Sequence, residues 1–553
     1  MDENIMNNEI KSIPNDIHPQ PYTDINQSYQ NRQYAAPAYV RPVKEDTEAT
    51  KLMKENAGFF IPAIACYALF FCFCMFHNDS GVTFPILIAV SFVLLFFSLS
   101  KIGVELKKGS AFYMAGAMLL AISTFCTDDE KIITFNKLGI FLLIMSLLLR
   151  QFYDTSQWKL GKYLGNMFLT VVASLGELAR PFQDMKLLAS RQGKGNKNIL
   201  YALLGAVVSV PLLVIVIALL SSADIFFRQI TDRLLIAVNF ENITEMIFQI
   251  VFVFFAVYLL FSYLCKHDLD ENVKDHRTGE PIPAITVTAL LSAVYMLFSC
   301  IQIFGLFLGK LSLPQGYSYA QYAREGFFQL LGVAFLNLVI VLVCLSFFKE
   351  SKLLKAILTI MSLCTFIMIA SSAMRMIIYI EYYALTFLRI LVLWALALLF
   401  ILFIGVIVNI YKNSFPLFRY CVVVVTVMYV ALSYSHPDLI IAYVDTQSTK
   451  VDYYHLGELS LDAAPVMIPY MEKLGYDLES VSIPAADIQV PKETYRPQEN
   501  RTPDNREYQT SKESFGHRYL LNIRNRTNNY GIRTFNISRY VALKELKAAA
   551  KAK

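Results

Sequence analysis

The sequence contains little charge. Asp, Glu, Lys and Arg make up only 17% of its 553 residues, against about 25% in an ordinary soluble domain. Five long runs lack charged residues altogether, namely 199–223, 282–309, 326–348, 356–374 and 390–411. Each run is long enough to cross ~30 Å of hydrocarbon as a helix. The scarcity of charge therefore excludes a soluble enzyme and indicates a chain that lies in a lipid bilayer.

The sequence also lacks the motifs of several enzyme classes. It has no GxxxxGK[ST] loop, no GxSxG elbow and no HExxH pair, so ATP-driven transport, ordinary serine hydrolysis and zinc proteolysis have little support. CxxC is absent and no cysteine follows Cys421, which disfavours a thioredoxin-like site and paired extracellular disulfides. The net charge of +5 is too small to suggest a nucleic-acid partner. We therefore predict no metal, no cofactor and no nucleic acid; the expected partner is the bilayer, with envelope lipids or other membrane proteins as candidates.

What the sequence does contain is a series of apolar segments of membrane-spanning length. Backbone groups in hydrocarbon must bond within their own segment, so these segments are helices. The fold class that follows is all-α, a polytopic transmembrane helical bundle with a small extracytoplasmic C-terminal region. The eleven predicted spans are 58–76, 82–100, 111–127, 132–149, 199–221, 243–264, 283–308, 327–348, 356–375, 386–410 and 417–435.

The basic residues predict the orientation of the bundle. The connections on one side carry 19 Lys and Arg residues, and those on the other side carry seven. Because Lys and Arg are retained in cytoplasmic loops, the N-terminus is expected in the cytoplasm. An odd number of spans then places the C-terminus outside, and we predict a multi-pass protein of the bacterial cytoplasmic membrane.

The chain is divided into three parts by composition. Residues 1–55 are rich in Asn, Gln and Pro and are expected to form a disordered cytoplasmic tail. Residues 56–436 form the transmembrane domain, within which 160–190 has the pattern of an interfacial amphipathic helix. Residues 437–553 form the extracytoplasmic C-terminal region, which includes a flexible linker over the proline-rich residues 481–512.

Seven motifs stand in one order after residue 195. They are ADIFF (223–227), YAQYAREGFFQL (319–330), RMIIYIEYYALTFLR (375–389), HPD (436–438), VDYY (451–454), DAAP (462–465) and RTFNISRY (533–540). Together they resemble a family of bacterial multi-pass membrane proteins known only as a domain of unknown function, the 4153/4173 type. Ala384 stands where that family leads us to expect Gly, and Phe535 where it leads us to expect Trp or Phe. The resemblance covers roughly residues 195–545 and brings no known activity, substrate or cofactor.

Seven residues in these motifs are candidates for an outward-facing polar site, because the predicted topology places them on one side. On a helix at 100° per residue, Arg375, Tyr382, Thr386 and Arg389 share a sector of about 60° and form a polar stripe. An Arg at mid-membrane costs on the order of 2.5–3.5 kcal/mol, so it normally faces protein or a watery cavity. The seven candidates are Asp224, Arg324, Glu325, Arg375, Glu381, Tyr382 and Arg389.

Two interpretations of these residues stay open. In one, they form a pocket that binds an anionic group such as a lipid phosphate. In the other, the Arg side chains reach the interface and join helices through ion pairs. The leading functional hypothesis is a non-catalytic envelope protein that senses, scaffolds or transports a small molecule.

The alternative hypothesis is a membrane-embedded enzyme that acts on a lipid-linked or phosphate-containing substrate. Arg324, Arg375 and Arg389 would then hold phosphate, with Glu325, Glu381 or Asp224 as a general base. Such an enzyme needs these groups around one cavity, whereas a scaffold can bury them in pairs.

Overall fold

The computed structural model describes residues 46–78, 80–155, 158, 160–191, 216, 220, 223–224, 240–269, 277–304, 326–412, 414–448, 451–476, 478, 505–527 and 531–551. Apart from one isolated bridge between Gly279 and Phe348, the regular structure in these ranges is helical. The prediction of an all-α fold is confirmed.

The helices of the described ranges are numbered here in chain order. The first thirteen are α1 (Glu48–Glu55), α2 (Ala57–Met75), α3 (Thr83–Lys101), α4 (Ser110–Cys126), α5 (Glu130–Phe152), α6 (Leu160–Ser174), α7 (Arg180–Arg191), α8 (Phe240–Lys266), α9 (Pro281–Gln302), α10 (Phe327–Phe347), α11 (Lys352–Tyr383), α12 (Phe387–Tyr411) and α13 (Leu417–Tyr434). The C-terminal helices are α14 (Pro437–Asp445), α15 (Tyr453–Leu456), α16 (Ala464–Lys473), α17 (Asn505–Thr527) and α18 (Ile537–Lys551).

The spanning helices agree closely with the predicted spans. Nine helices of the described ranges are long and apolar enough to cross a membrane, and α4 is a shorter apolar helix. Together they coincide with ten of the eleven predicted segments. The remaining segment, 199–221, lies outside the described residues except for two isolated positions. The chain is therefore an integral, multi-pass membrane protein.

The bundle contains three apolar cores, one of which joins α3, α4 and α5. Leu358 and Met361 of α11 pack with Phe403 of α12 in a core that α9 and α10 complete. Phe60 of α2 and Tyr258 of α8 belong to a second core, to which α5 and α6 contribute. The outer faces of the same helices carry exposed Leu, Val and Phe side chains, as expected for surfaces that contact lipid.

The segment predicted as one amphipathic helix, 160–190, forms two helices. A 3₁₀ turn, Leu175–Glu177, separates α6 from α7. Tyr163 on α6 is buried in the second core, and the Tyr258 hydroxyl donates to Asp184 on α7 at 2.8 Å. These contacts dock both helices against α8. Their position at the membrane interface stays a prediction.

The C-terminal helices form a compact layer at one end of the bundle. We define the cap as the described residues of 437–476 and 505–551; its core includes Leu461, Met467, Phe515 and Tyr519. The cap rests on the α2–α3 turn, where the amide of Val82 donates to the Phe535 carbonyl at 2.9 Å. It also rests on the α4–α5 turn, where the Asn536 side chain donates to the Thr127 carbonyl at 2.9 Å. We call this end of the bundle the capped end. Residues 481–504 of the predicted linker lie outside the described residues, and α17 begins at Asn505.

Candidate functional site

Three of the seven predicted site residues lie outside the described part of the chain or at its edge. Arg324 and Glu325 lie outside the described residues. Asp224 is exposed, and residues 225–239 after it are likewise outside the described part of the chain. The proposed convergence of these three side chains with the others therefore stays a prediction.

Arg375 is buried inside the bundle, with 7% of its surface exposed. Its Nη2 donates to Gln302 Oε1 at 3.3 Å, and the same oxygen accepts from the Ser371 hydroxyl at 2.7 Å. Gly326, at a φ of 115°, precedes α10, where a Cβ atom would lie only 2.8 Å from Arg375 Nη1. Only glycine fits both the left-handed backbone and this close approach. The guanidinium thus faces protein, as the cost of placing it in lipid requires.

The polar stripe expected along residues 375–389 is not formed, because the chain does not continue as one helix. Helix α11 ends at Tyr383 and α12 begins at Phe387. Between them Ala384 has a φ of 71°, a conformation that costs an L-residue energy. The assumption of a regular 100° step through the segment was wrong.

Arg389 stabilises this turn. Its Nη1 donates to the Tyr383 carbonyl at 2.8 Å and to that of Ala384, and its guanidinium lies 4.4 Å from the centre of the Tyr379 ring. These carbonyls belong to the end of α11, where the helix leaves acceptors without intrahelical donors. Glu381 is exposed. The side chain of Tyr382 is outside the described part of the structure, so its role stays a prediction.

The largest network of charged groups in the described ranges lies where the cap meets the bundle. Asp128, in the α4–α5 turn, is fully buried and accepts from Arg539 Nε at 2.7 Å and from Arg526 Nη1 at 3.1 Å. Arg526 Nη2 also bonds to exposed Glu130 at 2.8 Å. The two Arg side chains come from α17 and α18, so one bundle carboxylate holds two helices of the cap.

Asp462 forms a second part of this network. Its carboxylate accepts from the Asp128 amide at 2.7 Å, from the Thr127 hydroxyl, and bonds to His436 Nδ1 at 2.9 Å. Burial alone would raise the pKa of Asp462, but these hydrogen bonds outweigh it and hold the pKa below its ordinary value. The hydrogen bond with Asp462 raises the pKa of His436 above its ordinary value. The hydrogen bond between His436 and Asp462 therefore joins the end of α13 to the cap.

Asn536 contributes neutral hydrogen bonds to the junction. Its amide donates to the Ser80 carbonyl at 3.1 Å and to the Thr127 carbonyl at 2.9 Å. Ser538 donates to the Cys126 carbonyl at 2.8 Å. The loop before α18 is thereby fixed to the turns at both α2–α3 and α4–α5.

Three more acids are buried near the junction, each with one carboxylate oxygen that accepts no hydrogen bond: Asp129, Asp438 and Asp445. Asp129 caps α5 by accepting from the Lys131 amide at 2.9 Å, and Asp438 accepts from the Ser460 amide at 2.8 Å. Burial, and then the charge of Asp438, raise the pKa of Asp129 to about 6. Burial likewise raises the pKa of Asp445 to about 6. The carboxylates of Asp129 and Asp445 are therefore costly to ionise.

Sequence reasoning noted the stretches that carry this network but assigned them no role. His436, Asp462 and Arg539 lie in three of the motifs that carry the family resemblance. One signal could have pointed to this network: these charged residues lie in motifs shared with a family, next to apolar segments. The partner of Arg539 is 411 residues away in sequence, a distance that no local pattern spans.

No group of three or more His, Cys, Asp or Glu side chains in the described ranges could hold a metal ion. A family described as Domain of unknown function (DUF4153) matches residues 114–470 of the chain. No curated protein and no solved structure matches the chain.

Proposed function

We propose that this chain, which belongs to the DUF4153 family, is a non-catalytic scaffold or sensor of the bacterial cytoplasmic membrane. In this proposal the protein presents its cap on the outer face. The observation that carries the proposal is the double ion pair of Asp128 with Arg526 and Arg539. A carboxylate buried completely between two guanidinium groups is suited to holding two parts of a protein in one arrangement. It does not offer those groups to a substrate.

The surroundings of Arg389 support the same conclusion. An Arg that clamps a phosphate must direct its donors into a space where the ligand can lie. Arg389 instead directs Nη1 to two backbone carbonyls and stacks on Tyr379. We therefore infer that this guanidinium holds the α11–α12 turn, and that the outward-facing polar site is the cap–bundle junction.

The orientation of the proposed scaffold rests on the distribution of basic residues. The cap lies at the end of the bundle where α2 and α4 finish and α3 and α5 begin. The opposite end bears the connections rich in Lys and Arg, including Lys101, Lys107 and Lys108. By the positive-inside rule, that end faces the cytoplasm and the cap faces outward.

The proposal is tested by comparing the small molecules and lipids that copurify with the protein and with an Arg389→Ala variant. Arg389→Lys serves as the matched control, since it retains the charge but not the planar fork of donors. Mass spectrometry should find the same compounds in all three preparations, with lower thermal stability for Arg389→Ala. Loss of one phosphate-containing compound from Arg389→Ala alone would favour a binding pocket and contradict the scaffold.

A further inference from the structure

Helix α14 presents two chemically different faces. Asp438, Ile441, Ala442 and Asp445 are buried against the rest of the cap and the bundle. The opposite face is apolar and exposed: Ile440 at 39%, Tyr443 at 59% and Val444 at 39%. The spacing i, i+3, i+4 puts these three exposed side chains on one side of the helix.

Two hydrogen bonds fix the rotation of α14 about its own axis. The carboxylate of Asp445 accepts from the Leu385 amide at 2.8 Å, directly before α12. The carboxylate of Asp438 accepts from the Ser460 amide at 2.8 Å within the cap. Since both acids lie on the inner face, the apolar face cannot turn inward without breaking these bonds.

The chain also fixes the depth of α14 relative to the spanning helices. Helix α13 ends at Tyr434 and α14 begins at Pro437, with the left-handed residue His436 between them. Its contact with Leu385 places α14 beside the start of α12 as well. It therefore lies at the level where two membrane-spanning helices end, which is where hydrocarbon gives way to headgroups.

Exposed tyrosines mark the same level. Tyr383 at the end of α11 is 45% exposed, and Tyr434 at the end of α13 is 37% exposed. Tyrosine is enriched at membrane–water interfaces, because its ring is apolar and its hydroxyl remains hydrated. Tyr383, and Tyr443 on α14, are such rings, whereas the Tyr434 hydroxyl donates to the Leu119 carbonyl at 2.8 Å.

We propose that α14 is an interfacial helix whose face of Ile440, Tyr443 and Val444 contacts the lipid bilayer at the boundary between headgroups and acyl chains. The occupant of this face is lipid because α14 directly follows α13 and is bonded to the residue before α12. Both of these spanning helices carry exposed apolar side chains of their own, such as Leu388 and Val427. The helix would be immersed to a depth of roughly 5–10 Å, the usual position of an amphipathic helix in the interface. The cap is then seated in the membrane surface through α14.

The test uses Trp fluorescence of the full-length protein in nanodiscs. Tyr443→Trp and Ile440→Trp place a probe on the face, and Glu472→Trp places one at an exposed acidic position of α16. Phosphatidylcholine with bromine on its acyl chains near the headgroup quenches Trp by contact. The signal of the native Trp158 and Trp394, measured in the parent protein, is subtracted from every variant. Gel filtration establishes that each variant is folded.

Bromine should quench Tyr443→Trp and Ile440→Trp about twofold or more relative to Glu472→Trp, because only the first two probes lie at the interface. Equal quenching at all three positions, or none at Tyr443→Trp, overturns the proposal. If Tyr443→Trp is unquenched and Tyr443→Ser lowers the particle mass, the occupant is a second copy of the chain. The result does not depend on which side of the membrane the cap faces, so failure here leaves the proposed function untouched.

Discussion

Replacing Asp128 by Asn should loosen the cap from the bundle. The amide has the size of the carboxylate but lacks the charge that Arg539 and Arg526 bond at 2.7 and 3.1 Å. Removing one partner of a buried ion pair costs about 3–5 kcal/mol. Here the two Arg side chains are 20% and 25% exposed and Arg526 keeps Glu130, so water and Glu130 compensate in part. We expect a loss of about 2–3 kcal/mol in the free energy of cap opening.

The assay is limited proteolysis of the full-length protein in detergent, at protease concentrations where the cap opens and closes faster than it is cut. The cleavage rate then follows the population of the open form. A loss of about 2–3 kcal/mol corresponds to cleavage of α17 and α18 roughly 30- to 150-fold faster.

Glu130→Gln is the matched control, since it removes a 77% exposed partner of the same Arg526. A surface pair is worth about 0–1 kcal/mol, so this variant should be cleaved at most a few times faster than the parent. Equal acceleration by Asp128→Asn and Glu130→Gln would refute the reasoning that burial of Asp128 makes its ion pairs decisive.

Three further predictions follow from individual residues. Because the folded pKa of Asp129, about 6, lies above its ordinary value of 3.8, the folded state binds this proton more tightly. The stability that this proton contributes is lost as pH rises from 3.8 through 6. Asp129→Asn preserves the helix cap. In denaturant unfolding, this variant should lose about 1–2 kcal/mol less of its free energy of unfolding between pH 5 and 7.5 than the parent protein does. An unchanged pH profile would show that Asp129 does not titrate in this range. Ala384→Gly should raise stability by about 1 kcal/mol, since glycine adopts a φ of 71° without strain, and a lower melting temperature would contradict this. Gly405→Ala should lower stability by about 1–3 kcal/mol, because its Cβ would lie 2.1 Å from Tyr420 Cε1, whereas Gly332→Ala, with open space at its Cβ, serves as the tolerated control in the same assay.

The spanning helices could be predicted from the sequence because the bilayer imposes a single rule. Every backbone group in hydrocarbon must be paired, so an apolar run of sufficient length is a helix whatever its neighbours are. Predicted span 243–264 corresponds to Phe240–Lys266, and 327–348 to Phe327–Phe347. The short helix Ser110–Cys126 was found in the same way.

The junction could not be predicted by the same means. Asp128 lies in an acidic turn between two short apolar segments, and its sequence gives no sign that it is buried. Its partners Arg526 and Arg539 are about 400 residues further along the chain, and only the tertiary fold brings them together. The helical spacing applied across residues 375–389 also failed at Ala384, where a turn held by Arg389 separates α11 from α12.

Cysteine labelling in intact cells tests whether the bundle holds its cap on the outer face of the membrane. Lys473→Cys lies on the cap and Glu105→Cys at the opposite end of the bundle, and both positions are exposed. A membrane-impermeant maleimide, located by peptide mass spectrometry to exclude the native cysteines, should label Lys473→Cys in intact cells and Glu105→Cys only after permeabilisation. Labelling of Glu105→Cys alone in intact cells would contradict the account, because the cap would then face the cytoplasm.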